Sequence, residues 1–354
     1  MVFSAIFPRI KPKKPYLCLI EFHNNYRYMD KRIDLPTWLD SLIFEQLGAR
    51  YERRPEDVQY NPDKGADFVK IYLGTYFPRS YAEAYCIIGQ LLENPAYHAS
   101  LIELEEISVL DLCCGTGGEI FGLICILQEK LPNLKRINID AFDANIHAVR
   151  KLAKLSGEIP HIDEINVEVN LNPQALNIYG EQNLDDIIHF ADKKYHFILS
   201  FKALNEFIQS KTFPDENVYT KIAGHFLPLI TGNGALVMTD LTHKGDSETE
   251  FYPRIMNHGI NSLLRNINGY RTIFPYPCFF HEDRCGGCYM QDLIQVNHSG
   301  AVSDRSKIAY RVICHTDFAN HIMEGVSRRK CQINYPSSWV DKALPYNQSS
   351  YHQN

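Results

Sequence analysis

The stretch Val109-Leu-Asp-Leu-Cys-Cys-Gly-Thr-Gly-Gly-Glu119 decides the fold of this chain. It begins as an apolar run and ends in a turn rich in glycine. Glycine permits both a positive φ angle and the close approach of a ligand, and a sharp change from a buried strand to a helix needs this freedom. The stretch therefore predicts a strand, a tight turn and a helix in that order.

Alternating strand-like and helix-like segments after residue 101 predict a parallel sheet that is covered by helices on both faces. Apolar runs typical of strands lie at 107–114, 136–144, 165–171, 195–201 and 234–241. Segments with helical spacing lie at 119–131, 145–157, 217–230 and 252–266. The sequence before residue 101 is mainly helical in character, with apolar residues at helical spacing in 35–47 and 80–94.

An acidic residue, Asp143, ends the strand that is predicted after the glycine turn. A carboxylate in that position can accept hydrogen bonds from both ribose hydroxyls of an adenosine. A dinucleotide such as NAD or FAD would bring its pyrophosphate close to the carboxylates of Asp111 and Glu119, which is unfavourable. A cationic sulfonium with an amino group suits these carboxylates better, so the sequence favours S-adenosylmethionine. The alternative is a tight turn that binds no ligand.

Composition excludes several classes of protein. The 354 residues, 45% of them hydrophobic, are enough for an α/β domain and a second, smaller unit. No apolar stretch is long enough to cross a membrane, and the basic residues near the N-terminus follow the apolar patch, the reverse of a secretory signal. A cytoplasmic protein without a membrane partner is expected. The net charge of −6 does not mark a nucleic-acid binder.

The motif DLCCGTGGE resembles the first motif of class I S-adenosylmethionine-dependent methyltransferases, with cysteine at position 113 where glycine is usual. The resemblance implies an α/β fold with a Rossmann-like, seven-stranded methyltransferase sheet. It also implies these cofactor-binding residues: Asp111, Cys113, Gly115, Thr116, Gly117, Asp143, Ala144, Asn170, Leu171 and Phe201.

Within that set, the resemblance places Gly115–Gly117 at the methionine part of the cofactor and Asp143 at the ribose. Residues 170–172, expected after the third strand, would lie near the adenine. Residues 201–206, after the fourth strand, would face the reacting methyl group, with Asn205 and Glu206 towards the substrate. No side chain emerges as a general base, so no catalytic residue is predicted.

Three further stretches are similar to the methyltransferase-like proteins of the mitochondrial small ribosomal subunit and their bacterial relatives. They are Tyr72-Leu-Gly-Thr-Tyr-Phe-Pro-Arg-Ser-Tyr-Ala-Glu-Ala84, FILSFKALNEF at 197–207 and Pro277-Cys-Phe-Phe-His-Glu-Asp-Arg-Cys-Gly-Gly-Cys288. The resemblance implies a ribosomal RNA methyltransferase or an assembly factor. It also implies a metal centre held by cysteines, an iron–sulfur cluster in some members.

The cysteines near the C-terminus support a metal site on their own chemistry. Cys285 and Cys288 are two residues apart with glycines between them, a spacing that can point both thiolates at one ion. Cys278 or His281 is the third donor, and Cys314, His315 or Cys331 is the fourth. An all-cysteine set suits an iron–sulfur cluster, and a set with His281 suits zinc. The predicted set is Cys278, Cys285, Cys288 and Cys331, and the alternative is a group of free thiols.

The domain organisation predicted is a mainly helical unit at 1–100, an S-adenosylmethionine-binding domain at 101–275, a metal-binding segment with the final strands at 276–335 and a flexible tail at 336–354. Three functions follow. One is a methyltransferase for RNA, either ribosomal RNA or an assembling small subunit, and another is a catalytically weak binding or assembly factor. The third is a methyltransferase for a small molecule or peptide. The acidic charge favours the third function, and the resemblance favours the other two.

Overall fold

The computed structural model describes residues 31–53, 65–191, 193–243, 250–275 and 291–324. These residues form an α/β fold around one mixed sheet of nine strands. The strands are β1 Lys31–Asp34, β2 Glu106–Leu112, β3 Arg136–Asp143, β4 Glu168–Ala175, β5 Tyr195–Phe201, β6 Ile230–Leu241, β7 Tyr270–Phe274, β8 Gln291–His298 and β9 Ala301–His315. Their order in the sheet is β1-β8-β9-β6-β5-β2-β3-β4, and β7 pairs with β9 outside that path.

Helices cover the sheet on both faces, as the sequence predicts. They are α1 Thr37–Ser41, continued by the π-helical turn Leu42–Gln46, α2 Ala66–Thr75, α3 Phe77–Leu92, α4 Pro95–Leu101, α5 Gly118–Lys130, α6 Ile146–Glu158, α7 Glu181–Phe190, α8 Leu204–Gln209, α9 Val218–Phe226, α10 Tyr252–Asn266 and α11 Thr316–Ile322. In the described parts of the chain, every helix is too short or too polar to cross a membrane.

Two hydrophobic cores lie on opposite faces of the sheet. One core packs α3, α5 and α6 against the face that carries Val109 and Leu199. The other packs α7, α9 and α10 against the face that carries Leu110 and Ile198. Successive residues of β2 and β5 thus enter different cores, which explains why these strands are continuous apolar runs in the sequence.

The predicted number of seven strands is wrong, because β1 and β7 also join the sheet. β1 contains only four residues and pairs in parallel with β8. β7 pairs antiparallel with β9, a long strand that also pairs with β6 and β8. A short strand has too few residues to show a clear alternating pattern, and it forms only by pairing with strands that are distant in the sequence. Such strands are therefore not predicted from the sequence alone.

The described part of the predicted N-terminal unit shares its core with the residues that follow it. Helix α3 crosses α5 at backbone contact distance, since a Cβ atom on Gly118 or Gly122 would meet the backbone of Phe77 or Tyr81. This close packing fixes α3 beside the start of α5, where the glycine turn ends.

The predicted cysteine-containing insertion lies outside the described residues, as do Cys278, Cys285, Cys288 and Cys331. The metal centre therefore stays a prediction. Among the described residues, no group of three or more His, Cys, Asp and Glu side chains is arranged to hold a metal ion. Cys314, a candidate fourth ligand outside the predicted set, is buried in β9.

Candidate active site

The candidate site lies where the order of the parallel strands reverses. From β2 the chain proceeds to β3 and β4 on one side, and then to β5 and β6 on the other side of β2. In open α/β sheets, ligands bind beyond the carboxyl ends of the strands at such a switch point. The glycine turn follows β2 and the segment 202–206 follows β5, so both flank this position.

The glycine turn adopts the backbone that its composition predicts. Cys113, Gly115 and Gly117 all have positive φ angles, of 61°, 51° and 84°. Gly117 precedes α5, and a Cβ atom there would come within 2.5 Å of the Leu152 side chain. A Cβ atom on Gly115 would lie only 3.0 Å from the Tyr72 ring. The absence of side chains at the two glycines is therefore needed for both the conformation and the packing of the turn.

Asp143 connects the end of β3 to the glycine turn. One carboxylate oxygen accepts the backbone N–H of Gly115 at 2.8 Å, and the other accepts that of Asn145 at 2.8 Å. The side chain of Asn145 in turn caps the N-terminus of α6. Each carboxylate oxygen of Asp143 keeps a second lone pair, so the residue can still accept hydrogen bonds from a ligand.

Two further carboxyl groups are buried beside the turn. Asp111 is fully buried, and neither of its carboxylate oxygens has a hydrogen-bond partner. Burial, and then the charges of Glu119 and Asp143, raise the pKa of Asp111 well above its usual value. Burial raises the pKa of Glu119 to about 8. The turn thus lies in an electronegative environment, which favours a bound cation and opposes a bound pyrophosphate.

A buried ion pair joins α3 to the end of β5. Lys202 has a φ angle of 56°, and its Nζ lies 2.9 Å from Oε1 of Glu83. The side chains of the two residues are only 9% and 0% exposed. The charge of Lys202 also lowers the pKa of Glu119, although burial of Glu119 has the larger, opposite effect. Lys202 thus partly offsets the negative charge around the turn.

A second polar network holds α8 against β6. The amide of Asn205 donates hydrogen bonds to the carbonyl of Lys202 at 2.8 Å and to Oδ1 of Asp240 at 2.7 Å. The hydroxyl of Tyr219 donates to Oδ2 of the same aspartate at 2.7 Å. The amide group of Asn205 is thus bonded within the fold, and it fixes the backbone that presents the next residue, Glu206.

Glu206 is surrounded by groups from several elements. Burial, and then the charges of Asp143 and Asp240, raise the pKa of Glu206 to about 8. The charge of Glu206 in turn contributes, after burial, to the raised pKa values of Cys113 and Tyr72. The carboxyl group of Glu206 therefore interacts electrostatically with the glycine turn, the end of β3 and α2.

The structure brings most of the predicted site residues together at one edge of the sheet. They are Asp111, Cys113, Gly115, Thr116, Gly117, Asp143, Ala144, Phe201, Asn205 and Glu206. Thr116 is buried and its hydroxyl has no partner, and Phe201 ends β5 in the core. Three polar groups beside the turn, those of Thr116, Asp111 and Glu83, thus have buried oxygens without a partner.

Asn170 and Leu171 lie elsewhere, and the expectation that they follow the third strand is wrong. Both are inside β4, which continues to Ala175, the residue paired with Asp143. They are thus roughly 13–17 Å from the carboxyl end of the strand. Both line a polar cleft of about 400 Å³ that contains none of the residues around the glycine turn. The position after β4 belongs to Leu176, whose N–H donates to the carbonyl of Asp143 at 2.9 Å.

Sequence reasoning missed Glu83 and Tyr72 as parts of this site, and it placed Lys202 within the segment 201–206 without predicting its ion pair. Glu83 did leave a signal, because it is an ionisable residue on the otherwise apolar buried side of α3. The other two owe their positions to the tertiary fold. Tyr72 covers Gly115, and Lys202 reaches across to α3.

No protein-family model and no curated protein matches the sequence. Similar solved structures include a SAM-dependent methyltransferase from Aquifex aeolicus, with 11% identity, a TM-score of 0.38 and coverage of 71% of this chain and 99% of that chain. The magnesium protoporphyrin IX methyltransferase of Synechocystis with bound SAM has 12% identity, a TM-score of 0.35 and coverage of 71% and 86%. The plantazolicin methyltransferase in complex with SAH has 12% identity, a TM-score of 0.35 and coverage of 66% and 76%. With TM-scores below 0.5, these likenesses add nothing to the strand order and the site geometry.

Proposed function

We propose that this chain binds S-adenosylmethionine at the carboxyl edge of its sheet and transfers the methyl group to an acceptor. The observation that carries the proposal is the glycine turn at the switch point, tied through the N–H of Gly115 to the carboxylate of Asp143. The electronegative surroundings of this turn support a cationic ligand.

Different residues of the site would bind different parts of the cofactor. Asp143 would accept the ribose hydroxyls, and Gly115 and Gly117 would allow the methionine part to approach the backbone. Leu176 follows β4 and would meet the adenine in place of Asn170 and Leu171, which lie inside that strand. The bound cofactor supplies an activated methyl group on sulfur. The chain's own work is then to orient this methyl group, exclude water and provide for the acceptor's proton.

Calorimetry with S-adenosylmethionine and S-adenosylhomocysteine tests the proposal. Asp143→Ala should weaken the binding of both ligands by about 1–3 kcal/mol, the value of charge-assisted hydrogen bonds. Asp163→Ala is a matched control, since Asp163 is exposed in the connection that precedes β4. Circular dichroism checks that Asp143→Ala is folded. Absence of binding to the wild-type protein, or equal affinity in Asp143→Ala, contradicts the proposal.

The acceptor that the resemblance supports is RNA, either ribosomal RNA or an assembling small ribosomal subunit. A binding or assembly factor with weak activity has the same support. The net charge of −6 instead supports a small molecule or peptide as acceptor. Filter binding to ribosomal RNA distinguishes these proposals, because phosphate contacts release counterions and make affinity fall steeply with salt. An affinity for ribosomal RNA that does not change between low and moderate salt concentration favours a small molecule or peptide as the acceptor.

A metal centre at Cys278, Cys285, Cys288 and Cys331 also remains part of the proposal. These residues lie outside the described ranges, so its support is the cysteine spacing and the resemblance alone. An iron–sulfur cluster or a zinc ion would pin the C-terminal segment to the rest of the protein.

A further inference from the structure

The carboxyl group of Glu206 differs from the other acids around the glycine turn. The residue lies in the first turn of α8, directly beyond the carboxyl end of β5. Its side chain is partly exposed, and among the described residues it has no hydrogen-bond or ion-pair partner. Asn205, bonded to Asp240 and to the carbonyl of Lys202, fixes the backbone beside it.

Each neighbouring carboxyl group is hydrogen-bonded, ion-paired or buried from solvent. Asp143 accepts two backbone N–H groups, and Glu83 is paired with Lys202. Asp240 accepts hydrogen bonds from Tyr219 and from Asn205. Asp111 and Glu119 are 0% and 4% exposed. Within the described residues of this edge, Glu206 is therefore the carboxyl group that is both unpaired and accessible.

The groups that interact electrostatically with Glu206 come from several elements around the glycine turn. The carboxylates of Asp143 and Asp240 lie on one side, at the ends of β3 and β6. The thiol of Cys113 lies on the turn. The phenols of Tyr72 and Tyr76 lie on α2 and the link to α3, and Arg79 faces Tyr76. Except for Arg79, which is bound to Asp304 at 2.7 Å, these neighbours are anionic or neutral.

We propose that Glu206 is the counter-ion of the cofactor's sulfonium and makes the site prefer S-adenosylmethionine to S-adenosylhomocysteine. The inference rests on the proposed function. A carboxyl group that has no partner and is surrounded by other acids ionises readily only when a cation lies beside it. The sulfonium of S-adenosylmethionine is such a cation, and the demethylated product lacks it. The affinity difference between the two ligands thus measures this interaction directly.

The same placement specifies the class of acceptor. A lone pair on the acceptor's oxygen or nitrogen forms the bond to the methyl carbon while the carbon–sulfur bond breaks and its electron pair stays on sulfur. The sulfur then carries no charge, so Glu206 loses its counter-ion and binds the proton that the acceptor releases. The acceptor must therefore carry an O–H or N–H group, which supplies both the lone pair for the new bond and the proton that Glu206 binds.

Proton release on binding tests the inference without any acceptor. Because burial and two nearby acids raise the pKa of Glu206 to about 8, this carboxyl group is mostly protonated at pH 7 before the cofactor binds. Calorimetry at pH 7 in two buffers of different ionisation enthalpy should show close to one proton released with S-adenosylmethionine and far less with S-adenosylhomocysteine. A fall of about two units in the pKa of Glu206 would make the first ligand bind about tenfold more tightly at this pH.

Glu206→Gln keeps the shape of the side chain and removes its charge. It should abolish the proton release and the tenfold preference, and it should leave the affinity for S-adenosylhomocysteine within about threefold. Glu93→Gln, at the exposed residue that follows α3, is the control for loss of one acidic charge. Glu119→Gln is measured as well, because burial raises the pKa of Glu119 to about 8 too.

The outcomes separate the inference from the proposed function. If neither ligand binds the wild-type protein, the proposed function fails. If both ligands bind and the preference persists in Glu206→Gln, or is lost only in Glu119→Gln, the inference is overturned and the proposed function stands. Should Glu206→Gln not fold, a pH series on Glu119→Gln decides, because the competing acid with a pKa of about 8 is then absent. The preference must grow from pH 5 to pH 9 while the affinity for S-adenosylhomocysteine stays constant, and a flat preference overturns the inference.

Discussion

The ion pair between Lys202 and Glu83 allows the energetics of the site to be tested without any ligand. Nζ and Oε1 are 2.9 Å apart, and the side chains are 9% and 0% exposed. Lys202→Met removes the cation and leaves the Glu83 carboxylate buried without a counter-charge. Breaking one partner of a buried pair costs about 3–5 kcal/mol. We expect the free energy of unfolding to fall by that amount.

Urea denaturation followed by circular dichroism measures the change, and a double-mutant cycle identifies its cause. The double variant Glu83→Gln/Lys202→Met should be more stable than Lys202→Met alone, because it contains no uncompensated charge. The matched control is Lys70→Met, whose partner Asp67 is also 2.9 Å away but whose pair is 41% and 85% exposed. That variant should lose less than about 1 kcal/mol. A loss below about 1 kcal/mol in Lys202→Met, or purely additive effects in the cycle, would refute the reasoning.

Three further predictions follow from other parts of the structure. Gly122→Ala should lower the free energy of unfolding by about 1–3 kcal/mol in urea denaturation, because the added Cβ atom would clash with the Tyr81 backbone. In the control Gly157→Ala, in α6, the added Cβ atom would contact no other atom, and this variant should be slightly more stable than the wild type. Burial would raise the pKa of Asp304, but His298, whose Nε2 lies 3.5 Å away, and two hydrogen bonds from Arg79 outweigh it and lower that pKa to about 2. This carboxylate therefore stabilises the fold above pH 4, and about 2 kcal/mol should be lost between about pH 4 and pH 2, a loss absent in Asp304→Asn. Protein purified anaerobically should contain either iron, with broad visible absorption, or zinc at stoichiometric level. The metal content should be lower in Cys285→Ser. If neither metal is present at stoichiometric level, the cysteines do not form a metal site.

Local sequence patterns were enough to predict the central strands and the turn. The buried strand before the turn, the positive φ angles of the turn and the helix after it all follow from the apolar run and the glycines. The predicted helix at 252–266 has the bounds of α10 because its apolar residues repeat with helical period on one face. Local residue patterns are therefore sufficient to predict elements whose conformation depends on residues that are close in sequence.

The failures occur at the sheet edges and in long-range contacts. β4 lies at one edge, so its polar Asn170 and its Pro173 are tolerated within the strand, although both residue types normally indicate loops. The ion pair across 119 residues from Glu83 to Lys202 depends on the packing of α3 against the site. No local pattern encodes such a pair, and the positions of the site's charges therefore require the tertiary structure.

The parallel pairing of β1 with β8 has a consequence for the order of events during protein synthesis. Asp34 meets Asn297 across 263 residues of chain, and β8 is the only sheet partner of β1 among the described strands. At a synthesis rate of about 5–20 residues per second, the ribosome needs roughly 13–53 s to make this partner after β1 has emerged. The first of the described strands to be made is thus among the last of them to be paired, and its backbone remains open to chaperones throughout that interval.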